Sequence, residues 1–145
     1  MKRVVSTSVQ PDQYQADACL VWCSDNRFSK LLIGFSNQKV DLIKVHGGAA
    51  NLMGTEEEKQ FVLNQIRSSL QRSDPPVVAL MIHMGCGVYG ERKIPMREGA
   101  YEAEQEFYFD QLRAIKDIVQ EFLKEEGLET EVTTYLGDFD GLIKV

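Results

Sequence analysis

The fold of this chain is decided by the stretch Val21-Trp22-Cys23-Ser24-Asp25-Asn26-Arg27-Phe28, together with Ile82-His83-Met84-Gly85-Cys86-Gly87 further along. Each stretch begins where an apolar run ends, Ala18–Cys23 in the first case and Val77–His83 in the second. Short, nearly all-apolar runs are typical of parallel strands buried on both faces. Open α/β sheets bind ligands at the carboxyl ends of such strands. We therefore expect the polar side chains of both stretches to meet at one edge of a parallel sheet.

The residue types at these strand ends indicate a metal site. Cys23, His83 and Cys86 form a Cys2His set, which leaves a tetrahedral Zn²⁺ one open position, as in catalytic zinc sites. Asp25 and Arg27 are close enough in sequence to pair, and the arginine would keep the carboxylate ionised and orient it. The local chemistry is that of a metal, a water and an oriented carboxylate.

Two metal-free alternatives remain open at this point. A histidine and a cysteine at HxxC spacing often only fill space near a strand end. The two thiols could be a reduced pair, or they could form a Cys23–Cys86 disulfide. The order of the two motifs, and the glycines that free the second loop, favour the metal site over both. Those glycines are Gly85, Gly87 and Gly90.

The two motifs also resemble those of a known family. Residues 23–27 resemble the CxDxR motif of the β-class carbonic anhydrases, and residues 83–87 resemble their HxxCG motif. Residues 135–145 are similar to the last hairpin of that family, so the resemblance covers most of the chain.

The resemblance implies a role for each residue of the site. Cys23, His83 and Cys86 would be the zinc ligands. Asp25 and Arg27 would form a dyad, in which the aspartate either takes the fourth metal position or turns to the arginine and admits water. The resemblance further implies carbon dioxide and bicarbonate as substrates, and a homodimer or a higher even oligomer.

Composition limits the other classes of function. A length of 145 residues, 43% apolar and 26% charged, fits one soluble globular domain spanning residues 1–145. A net charge of -6 argues against nucleic acid and acidic membrane surfaces as partners. The sequence shows no apolar run of signal-peptide length at its start and no membrane span, so we expect a cytoplasmic protein.

Three cysteines, an odd number, favour thiols or metal ligands over a disulfide framework, and Cys19 is predicted to pack in the core.

The remaining pattern predicts an α/β fold: one domain with a mostly parallel central sheet of four to five strands flanked by helices, like that of the β-carbonic anhydrases. Thr55 and Glu58 form a capping box for a helix ending near residue 72. A short helix is expected over residues 28–35 and a long one over residues 101–126. Further strands are expected at residues 40–45, 131–136 and 142–145. We predict a small, flexible loop with an exposed His46 at residues 46–51, and a lid or subunit contact at residues 87–99.

Three functional hypotheses follow. In the first, zinc lowers the pKa of a bound water toward about 7 and the hydroxide attacks carbon dioxide, which makes the protein a carbonic anhydrase, a zinc lyase. Asp25 would orient the water or the substrate, and Arg27 would hold Asp25. The same machinery could hydrolyse carbonyl sulfide or carbon disulfide. The second hypothesis is a zinc-binding module of the same fold without turnover, and the third is a redox sensor that uses Cys23 and Cys86.

Overall fold

A five-stranded sheet forms the centre of the molecule. The computed structural model describes residues 14–89 and 100–145, so most of the predicted lid or subunit-contact loop lies outside the described residues. The strands are β1 (Ala18–Cys23), β2 (Val40–Val45), β3 (Val77–His83), β4 (Glu131–Gly137) and β5 (Leu142–Lys144). Their order is β2-β1-β3-β4-β5; the first four run parallel, and β5 pairs antiparallel with β4. The predicted α/β class is confirmed.

Two α-helices cover one face of the sheet. Helix α1 (Glu56–Ser73) begins with the predicted capping box, in which the Thr55 hydroxyl accepts from the Glu58 N–H and the Glu58 carboxylate accepts from the Thr55 N–H. Helix α2 (Ala100–Glu125) ends before Gly127, as predicted. Both bury their apolar faces in one core with the strands. Within the described ranges, neither helix is both long and apolar enough to cross a membrane.

Two short segments differ from the prediction. The segment expected to be a short helix at residues 28–35 is a 3-10 helix, Asn26–Phe35, which begins earlier because the Asp25 carboxylate accepts from the Arg27 N–H and caps it. Residues expected to form a flexible loop instead enter a second 3-10 helix, Gly48–Met53, whose Ala49, Ala50 and Leu52 are buried. Small side chains let this helix pack closely, while His46 before it is exposed as predicted.

The two faces of β1 pack in different cores. Cys19 is fully buried with the α1 and α2 core, as predicted. Leu20 and Trp22 pack on the other side, under the first 3-10 helix. Strict alternation would place Cys23 beside Cys19, but Cys23 packs in the second core with Cys86. Cys23 is the last residue of β1, and at this end of the strand its sulfur lies close to that of Cys86, in the turn after β3.

The absence of a side chain at Gly48 lets the second 3-10 helix pack against the sheet. A Cβ atom added there would lie 2.8 Å from the Cys23 backbone nitrogen and 3.0 Å from the Met81 carbonyl oxygen. These backbone atoms belong to β1 and β3, the strands that carry the two motifs. The φ of Gly48 is also +55°, in the region that disfavours L side chains. The glycine therefore lets the second 3-10 helix approach the edge of the sheet at Cys23.

We predict that Gly48→Ala destabilises the protein more than Gly127→Ala. Both glycines have positive φ, but no atom of the residues that the structure describes lies within 4 Å of a Cβ added at Gly127. Gly127→Ala should cost about 1 kcal/mol for the left-handed backbone. Gly48→Ala should cost about 2 kcal/mol more, because the backbone of two strands must shift. Urea unfolding monitored by circular dichroism measures both; equal losses of stability would contradict the close approach.

Candidate metal centre

Parallel pairing of β1 with β3 brings the two motifs together. Cys23 ends β1, His83 ends β3, and Cys86 lies in the turn that follows β3. One ligand atom from each of these residues lies within 4.8 Å of the other two. The residues are 1%, 0% and 4% exposed. The structure thus assembles the three predicted ligands into one buried group.

The two ring nitrogens of His83 have different surroundings. Its Nδ1 lies 2.9 Å from the Met84 carbonyl oxygen, which can only accept, so Nδ1 carries the proton and donates. Its Nε2 is then left with a lone pair, is buried, and has no hydrogen-bond partner in the described part of the chain. Leaving such an atom unsatisfied costs about 1 to 3 kcal/mol. A histidine that ligates a metal through one ring nitrogen usually donates the N–H of its other ring nitrogen to an acceptor such as a backbone carbonyl, as His83 does here. An imidazole nitrogen and two cysteine sulfurs are donors that Zn²⁺ prefers, so the group fits zinc.

The thiols are arranged to favour an anionic sulfur. The hydrogen bond that Cys23 accepts from the Cys86 thiol lowers the pKa of Cys23. The same contact between the two cysteines, with burial, raises the pKa of Cys86. The backbone N–H of Asp25 also points at the Cys23 sulfur, 3.5 Å away. The two thiols thus share a proton, and since the thiolate is the form that binds metals, both cysteines would ligate as thiolates after that proton is lost.

Asp25 and Arg27 form a close ion pair beside these ligands. Arg27 Nη2 lies 2.6 Å from Asp25 Oδ2, and Arg27 Nε lies 3.1 Å from both carboxylate oxygens. The side-chain hydrogen bond from Arg27 lowers the pKa of Asp25 to about 2. Asp25 Oδ2 is 3.8 Å from His83 Nε2, too far for a hydrogen bond. The structure therefore brings all five predicted site residues together, with the carboxylate turned to the arginine.

Arg27 also connects the two motifs. Its Nη2 lies 3.5 Å from the carbonyl oxygen of Gly85, within the second motif. On the far side of that turn, the Gly85 N–H donates to the Tyr108 hydroxyl of α2 at 3.1 Å. The turn that carries Cys86 is consequently held from both sides.

Three supporting residues were not identified as part of the site from the sequence. The Phe28 ring stacks on the His83 imidazole, Tyr108 accepts from Gly85, and the Gly137 carbonyl accepts from the Met84 N–H at 2.9 Å. Phe28 follows the first motif directly and Tyr108 lies on the apolar face of α2, so both have the pattern of ordinary core residues. Nothing in the local sequence signals their contact with the second motif.

No protein-family model matches this sequence, and no curated protein matches it either. Solved structures of carbonic anhydrases do resemble its fold. A carbonic anhydrase from Glaciozyma antarctica is 18% identical, with a TM-score of 0.60 over 92% of this chain and 84% of that one. A tetrameric β-carbonic anhydrase from the ascomycete Sordaria macrospora is 12% identical, with a TM-score of 0.56 over 91% of this chain and 81% of that one.

A β-carbonic anhydrase of the protozoan Trichomonas vaginalis, isoform I, gives the same TM-score, 0.56, at 13% identity over 96% of this chain and 87% of that one. Likeness at such low identity is a statement about the fold. In its fold, the chain is therefore a β-carbonic-anhydrase-like protein.

Proposed function

We propose that this protein is a zinc-dependent carbonic anhydrase that reversibly hydrates carbon dioxide to bicarbonate. The observation that carries the proposal is the buried Nε2 of His83, which has no hydrogen-bond partner among the described residues, lies within 4.8 Å of two cysteine sulfurs, and is beside a carboxylate held by an arginine. The fold shared with carbonic anhydrases supports the same activity.

Cys23, His83 and Cys86 would hold the zinc ion. When bound, zinc supplies Lewis-acid activation of water near neutral pH. Two cysteine sulfurs and one neutral imidazole would supply three protein donors, the number typical of catalytic zinc sites, which keep one position for a small ligand. His83 Nδ1, donating to Met84, would keep the ring in the tautomer that ligates through Nε2.

Asp25 would orient the reactants, and Arg27 would hold Asp25. An ionised carboxylate can only accept hydrogen bonds, so Asp25 would select a group that donates, such as the O–H of water or of bicarbonate. The side chain of Asp25 is partly exposed, whereas the ligands behind it are buried, so it lies between solvent and the metal centre. In the overall reaction, carbon dioxide and water give bicarbonate and one proton, which leaves to solvent.

We also infer that the protein assembles as a homodimer or a higher even oligomer, in the reducing cytoplasm. The support for assembly is likeness of fold to the tetrameric enzymes of Sordaria macrospora. All three cysteines are free thiols, which fits a reducing compartment. We expect light scattering after gel filtration to give a mass of two or four chains; a mass of 16.4 kDa at micromolar concentration would contradict the assembly.

We predict one tightly bound zinc ion per chain, lost in Cys86→Ser. Cys19→Ser is the matched control, because Cys19 is also buried but packs in the other core. Metal content after gel filtration measures the difference. In the zinc-loaded protein, iodoacetamide should react with Cys23 and Cys86 slowly until a chelator is added. Equal zinc in wild type and Cys86→Ser would exclude the ligand assignment, and rapid alkylation of the loaded protein would favour a redox thiol pair.

We predict rapid carbon dioxide hydration by the zinc-loaded protein in stopped-flow assays, absent in Cys86→Ser. Asp25→Asn and Arg27→Gln should each lower turnover by about 10²-fold while zinc content is unchanged, as for the loss of a group that positions a proton. Arg67→Gln is the matched control for Arg27→Gln. Arg67 forms a two-point ion pair with Glu126, as Arg27 does with Asp25. Its guanidinium also lies over the Phe122 ring.

Three results would contradict the assignment. Loss of zinc in Asp25→Asn would show that Asp25 is needed to bind zinc, which contradicts its assignment as a residue that only orients the reactants. An equal decrease in turnover in Arg67→Gln would show that the effect of Arg27→Gln is not specific to the metal centre. Zinc-loaded protein without hydration at any pH would exclude the carbonic anhydrase activity and leave a non-catalytic zinc module, or an enzyme for carbonyl sulfide or carbon disulfide.

A further inference from the structure

We propose that Phe28 is a positioning residue for the metal centre, because its ring sets the plane of the His83 imidazole and so the direction of Nε2. This inference rests on the zinc site of the proposed function. It concerns a residue that lies outside the ligand set and outside the Asp25–Arg27 pair.

The two rings are stacked and buried. Their centroids are 4.1 Å apart and their planes differ by 25°. Phe28 is 2% exposed and His83 is fully buried, so solvent does not separate them. At this separation the face of the phenyl ring lies directly against the face of the imidazole, closer than in most aromatic pairs.

A second contact is needed because one hydrogen bond does not fix the imidazole plane. The bond from Nδ1 to the Met84 carbonyl holds one edge of the ring. The ring can still tilt about that bond with little loss, since carbonyl oxygens accept over a broad range of angles. Such a tilt would carry Nε2, the other ring nitrogen, away from the two sulfurs. A flat ring lying against the imidazole face opposes this tilt.

The stack is itself enclosed. Gly137 of β4 lies opposite His83 in the sheet register. A Cβ atom added at Gly137 would lie 3.2 Å from Phe28 Cδ1 and 3.3 Å from His83 Cβ, closer than ordinary contact. Phe139 packs against the Phe28 ring, with centroids 5.9 Å apart. These neighbours leave the Phe28 ring little freedom to move.

Phe28 also contacts the ion pair. The Arg27 guanidinium carbon lies 5.7 Å from the centroid of the Phe28 ring, within the range of a cation–π contact. Both residues belong to the first turn of the 3-10 helix that Asp25 caps, and the Phe28 N–H donates to the Asp25 carbonyl at 3.2 Å. One turn of backbone therefore fixes the carboxylate, the guanidinium and the ring that supports the histidine.

The test compares zinc affinity in Phe28→Leu, Phe28→Tyr and Phe35→Leu by competition with a chromophoric chelator. Leucine keeps apolar bulk but has no flat face, so Phe28→Leu should weaken zinc binding about 10-fold, as for loss of a residue that orients a ligand. Phe28→Tyr, which keeps the face, should bind zinc within about 2-fold of wild type, since it removes no orienting contact. Phe28→Met, closer in volume to phenylalanine, replaces Phe28→Leu if the leucine variant is not folded.

Phe35→Leu is the matched control. Phe35 is a buried phenylalanine at the other end of the same 3-10 helix, and it packs on Trp22 and Tyr135. The Phe35→Leu variant should lose stability in urea as Phe28→Leu does, but its affinity for zinc should be unchanged. The visible absorption of the Co²⁺-substituted protein adds a second readout: Phe28→Leu should shift the ligand-field bands and Phe35→Leu should not.

The results separate this inference from the proposed function. Wild-type zinc affinity in Phe28→Leu, or an equal loss in Phe28→Tyr or Phe35→Leu, would overturn the role of Phe28 and leave the metal site intact. A wild-type protein that binds no zinc would overturn the metal site itself. If zinc affinity depends on Phe28 as expected but carbon dioxide is not hydrated, the positioning role stands and only the proposed activity fails.

Discussion

Parallel pairing of β1 with β3 is the constraint on which the rest of the site depends. Parallel strands end at the same edge of a sheet, so two motifs far apart in the sequence become neighbours once these strands pair. The pairing places Cys23 and His83 at that edge, and the turn after β3 returns Cys86 to them. The close approach of Gly48 to the backbone of both strands closes the same edge from the side of the second 3-10 helix.

The site concentrates interactions that the protein alone leaves incomplete. His83 Nε2 is buried with no hydrogen-bond partner in residues 14–89 or 100–145, and two cysteine sulfurs lie beside it. Groups of this kind cost folding free energy unless a ligand satisfies them. A metal that binds only the folded state would satisfy these groups and increase the free energy of unfolding. We therefore expect the stability of this protein to depend on metal binding.

The Asp25–Arg27 pair has a structural role as well as a proposed catalytic one. The carboxylate caps the first 3-10 helix through the Arg27 N–H and pairs with the Arg27 guanidinium. A substitution at Asp25 therefore affects both the helix and the ion pair. Arg27 in turn contacts Gly85, so the pair also bears on the turn that carries Cys86. This overlap explains why zinc content and turnover have to be measured together in variants of either residue.

The sequence by itself determined the strands, the capped helix α1, the α/β class and the residue types of the site. These depend on apolar periodicity and on contacts a few positions apart, such as Thr55 with Glu58, which a local pattern encodes. Only the tertiary structure decided that Phe28 stacks on His83, that Tyr108 holds Gly85 and that Cys23 packs apart from Cys19. The first two are contacts between segments far apart in the chain, and the third reflects the packing of Cys23 with the equally distant Cys86. Their geometry depends on the register and packing of whole strands and helices, which no local pattern specifies.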